Sequence, residues 1–192
     1  MEEYPNKIQT DEELMQRVAK GDKLAFTTLV QIHQNSILNF FWRLMGDKTQ
    51  AEDLSQDVFL RVWKSAPKYK KRAKLSTWMY RIAMNLYLNK MRALKIKNIF
   101  LAPLPLKRQP QINTEVNTDC ATPENQLLKA EQTRLIFNIL NTLPSAQRLA
   151  VTLRFYQGLS YAEISQILDR SISAVDALLI RAKKNIQKKI KK

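Results

Sequence analysis

Apolar side chains recur every three or four positions along most of this chain, which is the spacing that places them on one face of an α-helix. The clearest run covers residues 24–44 and ends before Gly46, and a second covers residues 54–63. Alternating runs of Val, Ile and Thr are scarce, and the chain contains only 3 glycines. We therefore predict an all-α fold.

Capping residues mark the expected helix ends. A Ser or Thr followed three positions later by Glu can form a capping box, in which each residue satisfies a backbone N–H group of the helix start. This pattern occurs at Thr10/Glu13, Thr49/Glu52 and Ser160/Glu163. Gly21 and Gly46 are expected to end helices in the left-handed conformation, and Pro67 to stop a third helix. A further helix is predicted over residues 76–94.

The helical spacing disappears between residues 96 and 122, where three prolines stand among Lys, Gln, Asn and Thr. Such a composition is typical of an extended linker. We predict two small helical domains, residues 1–95 and 123–192, joined by the linker 96–122. The single cysteine, Cys120, lies in this linker and is expected to be incidental, with a redox-sensing thiol as the alternative.

The charge balance indicates a polyanionic partner. Lys and Arg number 32 against 17 Asp and Glu, which gives a formal net charge of +15. Nucleic acid is the first candidate and an anionic membrane surface the second. The most apolar stretch, residues 37–45, is far shorter than the roughly 20 residues of a spanning helix. The acidic N-terminal residues do not resemble a secretory signal, so we expect a cytoplasmic protein.

Catalytic chemistry is not expected. The chain has 1 histidine, 1 cysteine and 3 glycines, from which no nucleophile–base pair, metal cluster or phosphate-binding glycine loop can be assembled. We predict that the protein is not an enzyme and has neither a cofactor nor a metal. His33, on an amphipathic helix, is expected to be structural.

The C-terminal part has the pattern of a helix-turn-helix. A helix from Ser145 carries apolar residues up to Phe155, a short helix begins at Ser160, and a tight turn at residues 169–171 precedes a longer helix starting near Ser173. The second helix of such a unit lies in the major groove of DNA. With Val175 and Ala182 buried, its opposite side presents Ala177, Ile180, Arg181, Lys184 and Lys188. Arg181 is the best candidate for binding guanine or phosphate.

Two sets of motifs then resemble a known family. The C-terminal set is L-P-S-A-Q-R (143–148), G-L-S-Y-A-E-I-S-Q-I-L (158–168), S-I-S-A-V (171–175) and R-A-K (181–183). The N-terminal set is G-D-K-L-A-F (21–26), A-E-D-L-S-Q-D-V-F-L-R-V-W (51–63) and T-W-M-Y-R-I-A-M-N (77–85). In this order they resemble the extracytoplasmic-function (ECF, group 4) sigma factors of the sigma-70 family.

The resemblance implies a dissociable promoter-recognition subunit of bacterial RNA polymerase, with sigma region 2 in residues 1–95 and sigma region 4 in residues 123–192. Its expected partners are the polymerase core, through the beta-prime clamp helices and the beta flap, promoter DNA, and an anti-sigma factor. The residues implied for contact with the clamp helices are Asp53, Gln56, Asp57 and Arg61. The apolar residues between them, Leu54, Val58, Phe59 and Val62, are predicted to be core.

The resemblance also assigns two DNA-binding sets. For recognition and melting of the minus-ten element they are Trp78, Arg81, Asn85, Lys90 and Arg92. For the minus-thirty-five element they are Arg170, Ser171, Ser173, Ala177, Arg181 and Lys184. Trp78 has the helical spacing of a core residue, so a core position is its alternative. The chain departs from the family at Asp176, Ala177 and Leu178, where Arg or Lys, Ser, and Arg are common.

Two other functions compete with this interpretation. A stand-alone helix-turn-helix regulator that binds duplex DNA as a dimer explains the C-terminal half but leaves the N-terminal motifs and the linker without a role. A membrane-surface or RNA-binding adaptor explains the charge but not the helix-turn-helix.

Overall fold

The computed structural model describes residues 10–70, 73–100 and 135–190, and within them the chain is helical with no β-strand. The all-α prediction is therefore confirmed. The helices are α1 (Asp11–Ala19), α2 (Lys23–Met45), α3 (Lys48–Ser65), α4 (Leu75–Phe100), α5 (residues 135–141), α6 (Ser145–Val151), α7 (Tyr161–Leu168) and α8 (Ile172–Ile190). A 3-10 turn, Ala66–Lys68, follows α3, and a π-helical turn, Thr152–Tyr156, continues α6.

The N-terminal half is built from α1 to α4 around α2. Helix α2 packs against α1, α3 and α4, and its Phe40 is fully buried at the centre. The Phe40 ring meets the rings of Phe41 and Tyr80 edge-on, each at a centroid distance of 5.4 Å. His33 of α2 pairs with Asp11 of α1 at 2.9 Å, which agrees with the structural role expected for it.

The capping boxes at Thr10/Glu13 and Ser160/Glu163 are present. The box predicted at Thr49/Glu52 is wrong. Helix α3 begins at Lys48 and Asp47 is its cap, with the Asp47 carboxylate accepting from the Gln50 N–H at 2.9 Å. Because Asp47 directly follows Gly46, which is left-handed at φ 68°, it occupies the cap position first and Thr49 already lies in the first turn.

The C-terminal half contains α5 to α8, and its last two helices form the predicted helix-turn-helix. Asp169 ends α7 in the left-handed conformation, at φ 52° and ψ 53°. The Ser171 hydroxyl accepts from the Ala174 N–H at 3.2 Å, so α8 begins at Ile172 and not at Ser173. The inward side of α8 buries Val175, Leu178, Leu179 and Ala182.

Three expectations differ in extent or lie outside the described residues. Helix α4 continues to Phe100, beyond its predicted end at residue 94. Most of the linker 96–122, including Cys120, lies outside the described residues, as does the predicted start of the C-terminal domain at 123. Within the described residues, no helix is both long and apolar enough to cross a membrane.

Phe155 is an apolar residue on the outer side of its helix. Leu149 and Leu153 are four residues apart and both are buried, whereas the side chain of Phe155 is 71% exposed. At about 100° of rotation per residue, Phe155 stands about 200° from Leu153 and so faces away from the buried side. It lies within the π-helical turn Thr152–Tyr156.

Candidate nucleic-acid interface

One side of α4 presents polar side chains to solvent. Arg81, Asn85 and Arg92 are exposed, and Trp78 is half-buried next to them. At about 100° of rotation per residue these four positions fall within roughly 60° of helix circumference. Lys90 is half-buried and lies about 120° from the nearest of them on the same count. Four of the five residues assigned to the minus-ten element thus share one surface, and Lys90 does not.

A cleft of about 580 Å³ opens at the start of α4. Its floor and walls come from the loop after α3 and the first turns of α4, and one residue of α7 completes the lining. The lining residues are Lys68, Tyr69, Lys70, Ala73, Thr77, Trp78, Arg81 and Gln166. The rings of Tyr69 and Trp78 lie 4.9 Å apart at 55°. The cleft therefore combines two aromatic rings with three cationic side chains.

Thr77 gives this cleft a buried polar group. Its side chain is only 3% exposed, and its hydroxyl has no hydrogen-bond partner among the described residues. Thr77 is the third residue of α4, where backbone N–H groups lack intrahelical acceptors and the helix dipole favours negative charge. A buried hydroxyl without a partner is unusual in folded proteins. Here it lies beside a cleft that is suited to an anionic ligand.

Sequence reasoning identified Trp78 and Arg81 but missed Thr77 and Tyr69. The available signal was the cluster of basic residues in the loop that begins at Lys68. The cleft forms where Lys68, Tyr69, Lys70 and Ala73 lie next to the first turns of α4.

The outer face of α3 is mostly polar and exposed to solvent. Asp53, Gln56, Asp57 and Arg61, assigned to the polymerase by resemblance, are all exposed on it. Leu60, more than half exposed, stands among them. The opposite face buries Leu54, Val58, Phe59 and Val62, which confirms that these four residues are core.

The exposed side of α8 agrees with the predicted recognition surface. Arg170, Ser171, Ser173, Arg181 and Lys184 are exposed, and Ala177 is half-exposed. The Arg181 Nε donates to the Ala177 carbonyl oxygen at 3.0 Å, so in the free protein the guanidinium is held along its own helix. The hydroxyls of Ser171 and Ser173 lie 3.0 Å apart at the helix start.

The departures from the family pattern occupy three different environments. Leu178 belongs to the buried core, and Asp176 lines a groove on another side of α8. Only Ala177 lies on the side that carries Arg181.

That groove is apolar and has a volume of about 680 Å³. It runs between α5, the π-helical turn, α7 and α8, and several of its large apolar residues are strongly exposed. They are Ile136, Phe155, Ile180 and Ile190. An exposed apolar surface of this kind is typical of a protein–protein contact. The groove was not predicted, because it is lined by residues from helices that are far apart in the sequence.

Comparison with known proteins identifies a family for each half of the chain. Residues 29–95 match the Sigma-70 region 2 family and residues 133–186 match the Sigma-70, region 4 family. The chain is 32% identical over 184 residues to the ECF RNA polymerase sigma-E factor of Haemophilus influenzae, covering 94% of this chain and 95% of that protein.

Solved structures share the fold. One is CnrH in complex with the cytosolic domain of CnrY, with a TM-score of 0.70, 21% identity, and coverage of 95% of this chain and 98% of that chain. Another is the sigma factor RpoE in complex with the anti-sigma factor NepR from Bartonella quintana, with a TM-score of 0.63, 20% identity, and coverage of 86% and 96%.

A region 2 domain followed by a region 4 helix-turn-helix defines a promoter-recognition subunit of the sigma-70 class, which is a class of non-enzymatic transcription initiation factors. Because a relative at 32% identity spans nearly the whole chain, the protein belongs to the ECF family of RNA polymerase sigma factors. Its function is promoter recognition and transcription initiation as a dissociable subunit of RNA polymerase. The stand-alone regulator is not favoured, since it leaves the region 2 match unexplained.

Proposed function

We propose that the cleft at the start of α4 accepts an unstacked nucleotide of the minus-ten element. The observation that carries this assignment is the buried Thr77 hydroxyl, which has no hydrogen-bond partner in the described part of the chain and lies in a cleft with two aromatic rings and three cations. Bases stack on aromatic side chains at roughly 1–3 kcal/mol each, and Lys and Arg hold the phosphates. Such a nucleotide must leave the duplex stack first, so the cleft acts during strand opening.

The polar stripe of α4 extends this site along the strand. Arg81 and Arg92 would hold phosphates, and Asn85 offers an amide to the edge of an unstacked base. Lys90, on another side of the helix, would contribute only to the general positive field. The proposed minus-ten surface thus consists of the cleft and the stripe from Trp78 to Arg92.

Duplex recognition at the minus-thirty-five element is assigned to α8. Ser173, Ala177 and Arg181 lie along the exposed side, four residues apart, and would contact base edges in the major groove. Arg170, Ser171 and Lys184 flank them and would contact the backbone. We propose residues 1–95 and 123–192 as the domain limits.

Two protein contacts are proposed from the exposed faces. The polar face of α3, with Asp53, Gln56, Asp57 and Arg61, would contact the beta-prime clamp helices. The apolar groove beside α8 would receive a helix of the beta flap, since a groove that exposes Phe155 and Ile180 fits the apolar side of an amphipathic helix. The structural relatives are bound to CnrY and NepR, which supports an anti-sigma partner here. The site of action would be the cytoplasm.

Run-off transcription tests the assignment. The purified protein with core polymerase should start transcription at a cognate promoter, and neither component alone should do so. Asp57→Arg should prevent holoenzyme formation in a pull-down, whereas the exposed Lys23→Glu on α2 should not. Promoter opening by the protein without core polymerase would contradict the proposal.

A further inference from the structure

The side of α8 that lines the apolar groove has the spacing of a helix–helix contact. Its residues follow one another at intervals of four, three, four and three positions: Asp176, Ile180, Lys183, Gln187 and Ile190. This is the heptad spacing with which one helix packs along another. Ile180 is 49% exposed and Ile190 is 67% exposed, so these apolar side chains lie largely outside the core.

The groove combines its apolar lining with two opposite charges. Among the described residues that line it, Asp176 and Lys183 are the charged ones, and neither has an ion-pair partner in that part of the chain. They stand seven positions apart, which is about 10 Å along the helix, with Ile180 between them. A helix that fits this side of α8 must therefore bring a cation to Asp176, an anion to Lys183 and an apolar side chain to the position between them.

A second copy of α8 has this pattern when it runs in the opposite direction. In a two-fold pair of antiparallel helices whose axis passes near Ile180, Asp176 of each copy lies level with Lys183 of the other copy. The two Ile180 side chains then meet at the centre. A parallel pair would instead place like charges opposite each other. Phe155 also lines the groove and is 71% exposed, so it adds apolar area beside the paired helices.

We propose that the free protein self-associates through this groove, as a two-fold dimer in which the two α8 helices pack antiparallel. Each chain has a formal net charge of +15, so two copies repel each other at low salt. At physiological ionic strength the Debye length is about 8 Å, which confines the repulsion to charges near the contact. Dimerisation is therefore expected at physiological ionic strength and should weaken when the salt is removed.

The dimer excludes duplex DNA from α8. Ala177 and Lys184, which are assigned to the minus-thirty-five element, lie about 60° and 40° from Ile180 around the helix. The major groove is about 12 Å wide and admits one helix, whereas two packed helices with their side chains are roughly 20 Å across. Self-association and promoter recognition therefore compete, and this competition rests on the proposed function of α8.

Analytical ultracentrifugation of the full chain over a range of protein concentrations tests the self-association. The parent protein should dimerise reversibly. Ile180→Ala removes the central apolar contact from both copies and should weaken dimerisation by about tenfold or more. Leu24→Ala is the matched control, since Leu24 is 77% exposed on α2, and it should have no effect. A parent protein that stays monomeric, as it would if the groove were filled from within the same chain, would overturn the proposal, and so would equal dimerisation of Ile180→Ala and the parent.

Charge reversal tests the antiparallel geometry. Asp176→Lys places two lysines opposite each other, and Lys183→Asp places two carboxylates opposite each other, so each variant alone should dimerise about tenfold more weakly or less. In an equimolar mixture of the two variants every facing pair is again of opposite charge, and dimerisation should return to about the parent level. Such recovery also shows that both variants are folded. Lys64→Asp reverses an exposed charge on α3 and should not weaken the dimer. A mixture that fails to recover would rule out the two-fold pairing of α8.

The competition with DNA is measured by sedimentation with a labelled duplex that carries the minus-thirty-five element. The parent dimer should dissociate as the duplex is added, leaving one chain on each duplex. Two chains on one duplex in the parent, reduced to one in Ile180→Ala, would contradict the competition. If the duplex bound to none of the proteins while the dimer results held, the proposed function of α8 would fail and the self-association would stand.

Discussion

Replacing Thr77 by Val should change stability and DNA binding in opposite directions. The Thr77 hydroxyl is buried and has no hydrogen-bond partner among the described residues. Leaving such a group buried without a partner costs about 1–3 kcal/mol. Valine keeps the shape of the side chain and removes the polar atom. We therefore expect Thr77→Val to raise the free energy of unfolding by about 1 kcal/mol.

The same substitution removes a group that the proposed nucleotide would use. One hydrogen bond of ordinary strength contributes about 1 kcal/mol, or roughly a fivefold change in affinity. Thr77→Val should thus weaken binding to a single-stranded minus-ten oligonucleotide by about that factor. Binding of duplex DNA through α8 should be unchanged.

Thr152 offers a matched control, because its side chain is also fully buried and its hydroxyl also lacks a partner in the described residues. It lies in the π-helical turn and does not line the cleft. Thr152→Val should stabilise the protein without changing oligonucleotide affinity. Urea unfolding and fluorescence anisotropy measure the two quantities. Undiminished oligonucleotide affinity in a stable Thr77→Val would refute the assignment of the cleft.

Three further predictions concern other sites. Arg181→Ala should weaken binding to duplex promoter DNA by roughly 1–3 kcal/mol. Asn85→Ala should leave duplex binding intact and reduce the permanganate reactivity of unpaired thymines, and premelted templates should rescue this defect. Equal duplex-binding defects in the two variants, without rescue by premelted DNA, would contradict the separate roles of the two residues. Arg148→Met should lower the free energy of unfolding in urea by about 2–3 kcal/mol. The reason is that the Arg148 guanidinium donates to the side-chain and backbone oxygens of Asn141 and to the Leu44 carbonyl. An unchanged urea midpoint would argue against a stabilising role for these hydrogen bonds. Hydrogen bonds from Ser160, followed by Lys74, lower the pKa of Glu163 to about 2. The stabilising contribution of Glu163 is therefore complete above about pH 4.5 and is lost as the pH falls towards 2. In urea unfolding between pH 6 and pH 3, Glu163→Gln should lose less of its free energy of unfolding than the parent protein, and equal losses would contradict this role of Glu163.

Local signals predicted the helices well because they depend on neighbours in sequence. The box at Ser160/Glu163 formed as expected, since both of its hydrogen bonds lie within one helical turn. The box at Thr49 did not, because Asp47 stood closer to Gly46 and capped α3 first. Asp47 and Thr49 are both residue types that favour the cap position, and Asp47 takes it because it comes first after Gly46.

The cleft and the groove could not be predicted in the same way, because they depend on contacts between distant residues. The cleft beside Thr77 exists only where residues that follow α3 lie next to the start of α4. The groove forms only where α5, the π-helical turn, α7 and α8 come together. Family resemblance supplied Trp78, Arg81 and Asn85, but periodicity alone favoured a core position for Trp78, which proved to be half-buried at the rim of a cleft.

The recognition helix shows how position in the fold changes the meaning of a sequence departure. Of the three unusual residues, Leu178 is buried and Asp176 lines the apolar groove, so neither lies on the exposed side that carries Arg181. Ala177 alone lies on that side, where its methyl group can contact the methyl group of thymine but cannot accept or donate a hydrogen bond. The Arg181 Nε donates to the Ala177 carbonyl in the free protein, and the two terminal nitrogens of the guanidinium carry the remaining donors. Under the proposed function, we therefore expect specific hydrogen bonds to bases to come from these two nitrogens and from Ser173 at the helix start.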